Sequence, residues 1–275
     1  MKVDRRAFIT AVAGIVALAV APLAAEEAQR AVRFPSGNET PILGQLLTPK
    51  GPGPLPAVVL LHHCGGLRSF NVAWAKTIQT AGYVALLVDS FGPRALTSIC
   101  SADTRESARM AAERVHDAYG ALRYLKTLPF VDAEHVAVMG WSHGASTVLD
   151  ALSSDRYRTS SEQFKAGVAM YPACARFASA RVRAPLLVLV GSKDDWTPPT
   201  PCLDLERLRR PGAPPIRVHV YEGAYHVFDD PSYSGGTMSY LGHTLGYSPV
   251  ATKDAEARVI RFLQILRHDE VFLPP

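Results

Sequence analysis

The chain has 275 residues, enough to bury the core of one large α/β domain, with 20% charged side chains and a net charge of +4. Its lysines and arginines are scattered rather than run together, which excludes the basic footprint of a nucleic-acid-binding protein. Glycine and proline fall mostly between apolar runs, with no internal repeat, and no C-x-x-C pair suggests a metal site.

The first 25 residues differ from the rest. Lys2, Arg5 and Arg6 precede the uncharged stretch Ala7 to Ala25, which ends in Leu23-Ala24-Ala25 before Glu26 and Glu27. A charged start, an apolar middle and a small-residue end read as an export signal cleaved after Ala25, leaving residues 26–275 as one catalytic domain in the periplasm or outside the cell. Arg5-Arg6-Ala7-Phe8-Ile9 is similar to the twin-arginine signal, with Asp4 where that pattern has Ser or Thr. The competing reading is an uncleaved membrane anchor, against which Pro22 and the alanine content argue. With a cleaved signal, the mature form is expected to have no membrane partner.

Residues 30–49 hold two β-like runs around Pro35-Ser36-Gly37-Asn38, an opening hairpin. The apolar run Ala57 to Leu61 has the composition of a strand buried on both faces and opens into the loop His63-Cys64-Gly65-Gly66-Leu67. A short helix over Asn71 to Thr80, a strand over Tyr83 to Val88, an irregular stretch from Ser90 to Asp103 and a long helix from Thr104 to Thr127 follow. Strands are expected at His135 to Met139, Ala166 to Tyr171, Leu186 to Val190 and Ile216 to Tyr221. Helices are expected over Ala145 to Leu152, near Pro201, and over Ala251 to Leu266 with Ala255, Val259, Phe262, Leu263 and Leu266 inward. Alternation of this kind implies an α/β fold: a doubly wound, mainly parallel sheet with helices on both faces, in three layers. In such sheets, sites form at the C-terminal ends of strands.

Gly140-Trp141-Ser142-His143-Gly144 sits between a strand and a helix and is a G-x-S-x-G nucleophile elbow. The sharp turn exposes the Ser142 hydroxyl and aims the first amides of the helix, beginning with that of His143, at negative charge beside it. A serine hydroxyl needs a base and a carboxylate that orients the base. Asp194 and His226 follow in the order this arrangement requires, each just past a strand end. Asp195 adjoins Asp194, and either could cap the next helix; it is the family resemblance described below, through the spacing Gly191-x-x-Asp194-x-x-x-Pro198, that implies Asp194 as the orienting acid. The second oxyanion donor is assigned to the Cys64 amide.

From about residue 40 to 267 the chain resembles an α/β-hydrolase of the dienelactone hydrolase family. The likeness is carried by Leu61 to Gly66, Asp89-Ser90-Phe91-Gly92-Pro93-Arg94, the elbow, Asp194, and Ala224 to Asp229. It implies hydrolysis of small ester or lactone substrates with no metal and no cofactor. The enzymes that name the family use cysteine in the elbow, whereas this chain has Ser142, which fits general ester hydrolysis. His63 stands where many relatives have glycine, narrowing the mouth of the site. Two readings stand for Arg94: a clamp on a substrate carboxylate, as in relatives acting on acidic lactones, or a solvated loop arginine. Tyr171 and Phe228 either line the acyl pocket or belong to the core, and Pro231 to Ser248 is either a lid or a long connection.

Four cysteines, Cys64, Cys100, Cys174 and Cys202, suit an oxidising compartment and admit three pairings, of which Cys174 with Cys202 is preferred because both follow neighbouring strand ends. A non-catalytic exported binding protein on a hydrolase scaffold is the alternative from another functional class, and oligomeric state is left open.

Overall fold

Two antiparallel strands, β1 (Ala28–Pro35) and β2 (Pro41–Thr48), form the expected opening hairpin, with Pro35 opposite Pro41. Six parallel strands follow: β3 (Leu55–Leu61), β4 (Val84–Asp89), β5 (Val131–Trp141), β6 (Ala166–Met170), β7 (Leu186–Gly191) and β8 (Ile216–Tyr221). The sheet order is β8-β7-β6-β5-β3-β4-β2-β1. Between and after the strands lie α1 (Ser69–Thr80), α2 (Thr104–Lys126), α3 (His143–Ser153), α4 (Thr200–Arg207) and α5 (Pro249–Leu263). The computed structural model describes residues 24–25, 28–154, 162–177 and 180–268. The export signal read over residues 1–25 lies outside them except for Ala24–Ala25, which pair antiparallel with Gly51–Pro52. No helix among the described residues is long and apolar enough to cross a membrane.

Strand periodicity sorts the core into two layers. On β3, Ala57, Val59 and Leu61 face α2 and α3, packing with Val115, Leu122, Val148 and Leu152, while Val58 and Leu60 face α1 and α5, packing with Trp74, Ile78, Val259 and Phe262. Both faces are dry, so the strand reads as a continuous apolar run rather than an alternation. Each of the buried Val, Leu, Ile and Phe side chains contributes about 1.5–3 kcal/mol by leaving water. Helix α2 starts where Asp103 accepts from the Glu106 amide, and α5 where Ser248 accepts from the Ala251 amide.

Two elements depart from the sequence reading. β5 begins at Val131 rather than His135, because its register against β3 shifts between the Leu55–Val131 and Ala57–Val136 pairs, leaving Asp132 to His135 unpaired with β3 and partly exposed, without an apolar signature. The segment Pro231 to Ser248 folds partly into a small hairpin of β9 (Met238–Tyr240) and β10 (His243–Leu245). This hairpin joins the site, since Leu245 bridges His226 and the Gly246 amide donates to the His226 carbonyl.

Helix α3 lies so close to the end of β3 that a Cβ on Gly144 would run into the carbonyl oxygens of Leu61 and His62. Gly144→Ala is therefore expected to cost about 1–3 kcal/mol, measured as a lower urea midpoint with an unchanged slope; a wild-type midpoint would contradict this packing.

Candidate active site

Ser142, between β5 and α3, is held at φ 50° and ψ −113°. Its amide donates to the Met170 carbonyl at 2.9 Å, which ties the turn to the end of β6. Two further non-glycine residues with positive φ flank it, Tyr171 at 43° and Val227 at 55°, so strained backbone gathers at this edge of the sheet. The Ser142 hydroxyl lies 3.0 Å from His226 Nε2, and His226 Nδ1 lies 2.7 Å from Asp194 Oδ2. With Nδ1 carrying the proton toward Asp194, Nε2 is left to accept from the serine. Asp194 Oδ1 accepts from the amides of Trp196 and Thr197, and its Oδ2 from the Thr197 hydroxyl at 2.9 Å, so the carboxylate cannot swing away.

The structure thus brings Ser142, His226 and Asp194 together and leaves Asp195 outside the triad. The Asp195 carboxylate accepts from the Thr244 amide at 3.0 Å instead, anchoring the β9–β10 hairpin. Neither the Cys64 nor the His143 amide donates to another group of the described residues. His143 is the first residue of α3, where no intrahelical acceptor exists. The cleft over Ser142 has two lobes, of about 400 and about 390 Å³, which share Ser142, Cys64, Cys100 and Trp196 along their divide. One lobe is walled by Val227, Tyr233, Tyr240 and Leu245, with Arg68 and Asp230 as its charged groups; the other is walled by the small α2 residues Thr104, Ser107, Ala108 and Ala111, with Arg176 beside them. His63 lines the first lobe and accepts from the Gly65 amide through Nδ1. Among the described residues, no cluster of His, Cys, Asp or Glu is arranged to hold a metal ion.

Three expected substrate contacts are corrected. Arg94 is neither a clamp nor solvated. Its side chain is 13% exposed, both terminal nitrogens donate to Asp117 of α2 at 2.9 Å, and one also donates to the Ser90 carbonyl. The buried Asp117 carboxylate captures the guanidinium and turns it from the cleft. Tyr171 and Phe228 are fully buried and line neither lobe, because Tyr171 spends its hydroxyl on Asp229 at 2.7 Å and its ring on the edges of His226 and Phe228. The four cysteines form two disulfides, the preferred Cys174–Cys202 and also Cys64–Cys100, which ties the loop after β3 to the loop before α2.

Sequence reading missed Asp229 and Arg114. Asp229 accepts from the indoles of Trp74 and Trp141 at 2.8 Å each as well as from Tyr171, joining α1, the elbow and the His226 loop. Arg114 is fully buried in α2 and reaches both His62 and His143. The available signal was a charged residue on an apolar stripe: Met110, Ala111, Val115 and Ala118 surround Arg114 on the buried face of α2.

Burial, with the charge of Arg114 adding to it, holds His62 well below the ordinary histidine value and His143 at about 3; burial first, with Arg68 and His226 adding, brings His63 to about 4. In the unfolded chain all three take up protons near pH 6.5, so the native state binds fewer protons below that pH, and the stability present above it is lost as pH falls. Asp229 acts oppositely in a narrower window: burial raises it to about 6 against its three donors, so it favours the fold as pH falls from 6 toward 4. Asp117 and Asp150, raised by burial like Asp229, act with it, while the three histidines contribute a decline in the urea midpoint between pH 6.5 and 4. His63→Gln should flatten that decline by up to about 3 kcal/mol; an unchanged pH slope in the variant would contradict the assignment.

Comparison with known proteins identifies the fold and the family. A 25% identical relative from a Bradyrhizobium species, named a probable 2-oxo-3-(5-oxofuran-2-ylidene)propanoate lactonase, aligns over 199 residues, 68% of this chain and 79% of its own. A dienelactone hydrolase-like promiscuous phosphotriesterase from metagenomic libraries shares the fold at TM-score 0.68 and 22% identity, over 87% of this chain and 99% of the other. A dienelactone hydrolase from Anabaena variabilis does so at TM-score 0.62 and 22% identity, over 85% and 95%. Residues 42–266, from β2 to the turn after α5, match the model of the dienelactone hydrolase family, and the chain belongs to that family of α/β-hydrolases.

Proposed function

We propose that this hydrolase cleaves small carboxylic esters through an acyl-enzyme on Ser142. The observation that carries the reading is the unbroken hydrogen-bond line from the Ser142 hydroxyl through His226 to Asp194, placed where the strands end in a two-lobed cleft. As Ser142 Oγ attacks the ester carbonyl, its proton passes to His226 Nε2, and Asp194 stabilises the imidazolium. The carbonyl oxygen becomes an oxyanion facing the Cys64 and His143 amides. Collapse breaks the carbon–oxygen bond to the alcohol, which leaves with the proton from His226. Water then gives a proton to His226 and attacks the acyl group, and collapse releases the acid and restores the serine. One lobe holds the acyl group and the other the alcohol.

A second reading has support of its own: hydrolysis of a carboxylate-bearing lactone, as the name of the Bradyrhizobium relative suggests. With Arg94 committed to Asp117, the cation available to such a carboxylate is Arg68 at the rim of the first lobe. Export is proposed from the signal-like first 25 residues, and two disulfides without a free cysteine among the described residues suit an oxidising compartment.

A panel of neutral nitrophenyl esters of rising acyl length beside a carboxylate-bearing lactone tests these readings. Ser142→Ala is expected to lower kcat by about 10⁴-fold or more and Asp194→Asn by about 10⁴-fold. Asp195→Asn should stay within a few fold of wild type on the same scale, because that carboxylate only anchors the hairpin. Ester turnover unchanged in Ser142→Ala would sink the proposal. Under the lactone reading, Arg68→Gln raises KM for the acidic lactone alone; equal effects on neutral esters would remove it. A fluorophosphonate probe that fails to label wild-type Ser142 would favour a non-catalytic binder.

A further inference from the structure

Arg114 has no role in the proton transfers above, yet its placement is specific. It projects from the middle of α2 into a fully buried position behind the elbow. One terminal nitrogen donates to the His62 carbonyl, and the other donates to His143 Nδ1 at 2.9 Å. His143 Nε2 in turn donates to the Ser107 carbonyl at 3.1 Å, so its ring is neutral, with Nδ1 as the acceptor. The guanidinium carbon lies 5.3 Å from the centre of the Phe91 ring. Among the described residues Arg114 has no salt-bridge partner, since the nearby Asp117 is engaged by Arg94. A buried cation without a direct ion pair is costly even with Asp117 and Asp89 near enough to favour its charge, and leaving its Nε without an acceptor adds to that cost.

That cost falls where the proposed reaction develops negative charge. His62 precedes the loop that supplies the Cys64 amide, and His143 supplies the other amide itself. The two donors come from different segments, the loop after β3 and the start of α3, and the fork of Arg114 holds both. We propose that Arg114 is a positioning residue of the oxyanion hole: its guanidinium clamps the His62 carbonyl to the His143 imidazole, sets the separation of the Cys64 and His143 amides, and places a positive charge behind the oxyanion. This rests on the serine-hydrolase reading. A planar fork is needed because a single ammonium cannot reach both acceptors with the same geometry.

The test compares Arg114→Met, Arg114→Lys, His143→Ala and Ser142→Ala with wild type, using a short-chain nitrophenyl ester and a boronic acid that forms a tetrahedral anion on serine. Rates are expressed per site titrated by the nitrophenol burst, or per folded protein where no burst forms. Arg114→Met is expected to lose about 10² to 10³ in kcat, the scale of one oxyanion donor, with KM within about twofold and boronate affinity falling in parallel with kcat/KM. Arg114→Lys should recover no more than about tenfold of that loss, because the charge returns without the fork. His143→Ala keeps the amide but frees one arm of the clamp and should lower kcat about tenfold; it decides the matter if Arg114→Met does not fold. Wild-type kcat in Arg114→Met or His143→Ala, full activity in Arg114→Lys, or a loss confined to KM overturns the proposal. Undiminished turnover in Ser142→Ala instead refutes the serine-hydrolase reading on which it rests, so the two failures are distinct.

Discussion

Ser142 sits at φ 50° and ψ −113°, a backbone region that L-residues avoid, and the rest of the site depends on keeping it there. Three contacts hold the turn: the Ser142 amide on the Met170 carbonyl, the Trp141 indole on Asp229, and the bare Cα face of Gly144 against the end of β3. The first ties the elbow to β6, the second to the His226 loop, the third to the strand whose exit supplies Cys64. A single strained residue is thereby locked to three neighbouring segments at the ends of the strands. The strain is offset by packing in the two apolar layers, where the strands leave no room for the turn to relax.

The electrostatics follow from burial. His62, His63 and His143 are kept neutral by burial, with Arg114 raising the cost of a proton on each. Of the histidines against the elbow, His226 is the one with a carboxylate partner, Asp194, and it serves as the base of the proposed reaction. Asp229 lies beneath as an anchor, its oxygens filled by two indoles and a phenol and so unavailable to the serine. The segregation is chemical: neutral histidines surround Arg114, and the histidine that the proposed reaction would charge faces Asp194.

Much of this was legible in the residues. Alternating apolar runs and amphipathic helices showed the sheet, and the order Ser142, Asp194, His226 after successive strands foretold which side chains meet. What escaped were pairings set only in three dimensions. Arg94 follows a strand and reads as a cleft residue until Asp117, on the buried face of a helix, is seen to take both its nitrogens. Tyr171 reads as a pocket aromatic because nothing local reveals that Asp229, far along the chain, has claimed its hydroxyl. The Cys64–Cys100 bridge joins two irregular loops, whose approach no periodicity records, whereas Cys174 and Cys202 follow adjacent strands and could be paired in advance. Arg114 did leave a mark, as a charge on an otherwise apolar helix face, whereas Asp229, beside Asp230 in a loop, left none; each proves to organise the ground behind Ser142.

The proposed reaction passes through a covalent acyl group carried by Ser142. Rapid acid quenching of the purified protein with a slow-leaving nitrophenyl ester, followed by intact-mass and peptide analysis, observes that intermediate directly. The expected result is a mass increase equal to one acyl group, located on the peptide that contains Gly140 to Gly144 and absent from Ser142→Ala. Steady ester turnover with no acyl adduct at any quench time, or an adduct on another residue that persists in Ser142→Ala, would contradict it.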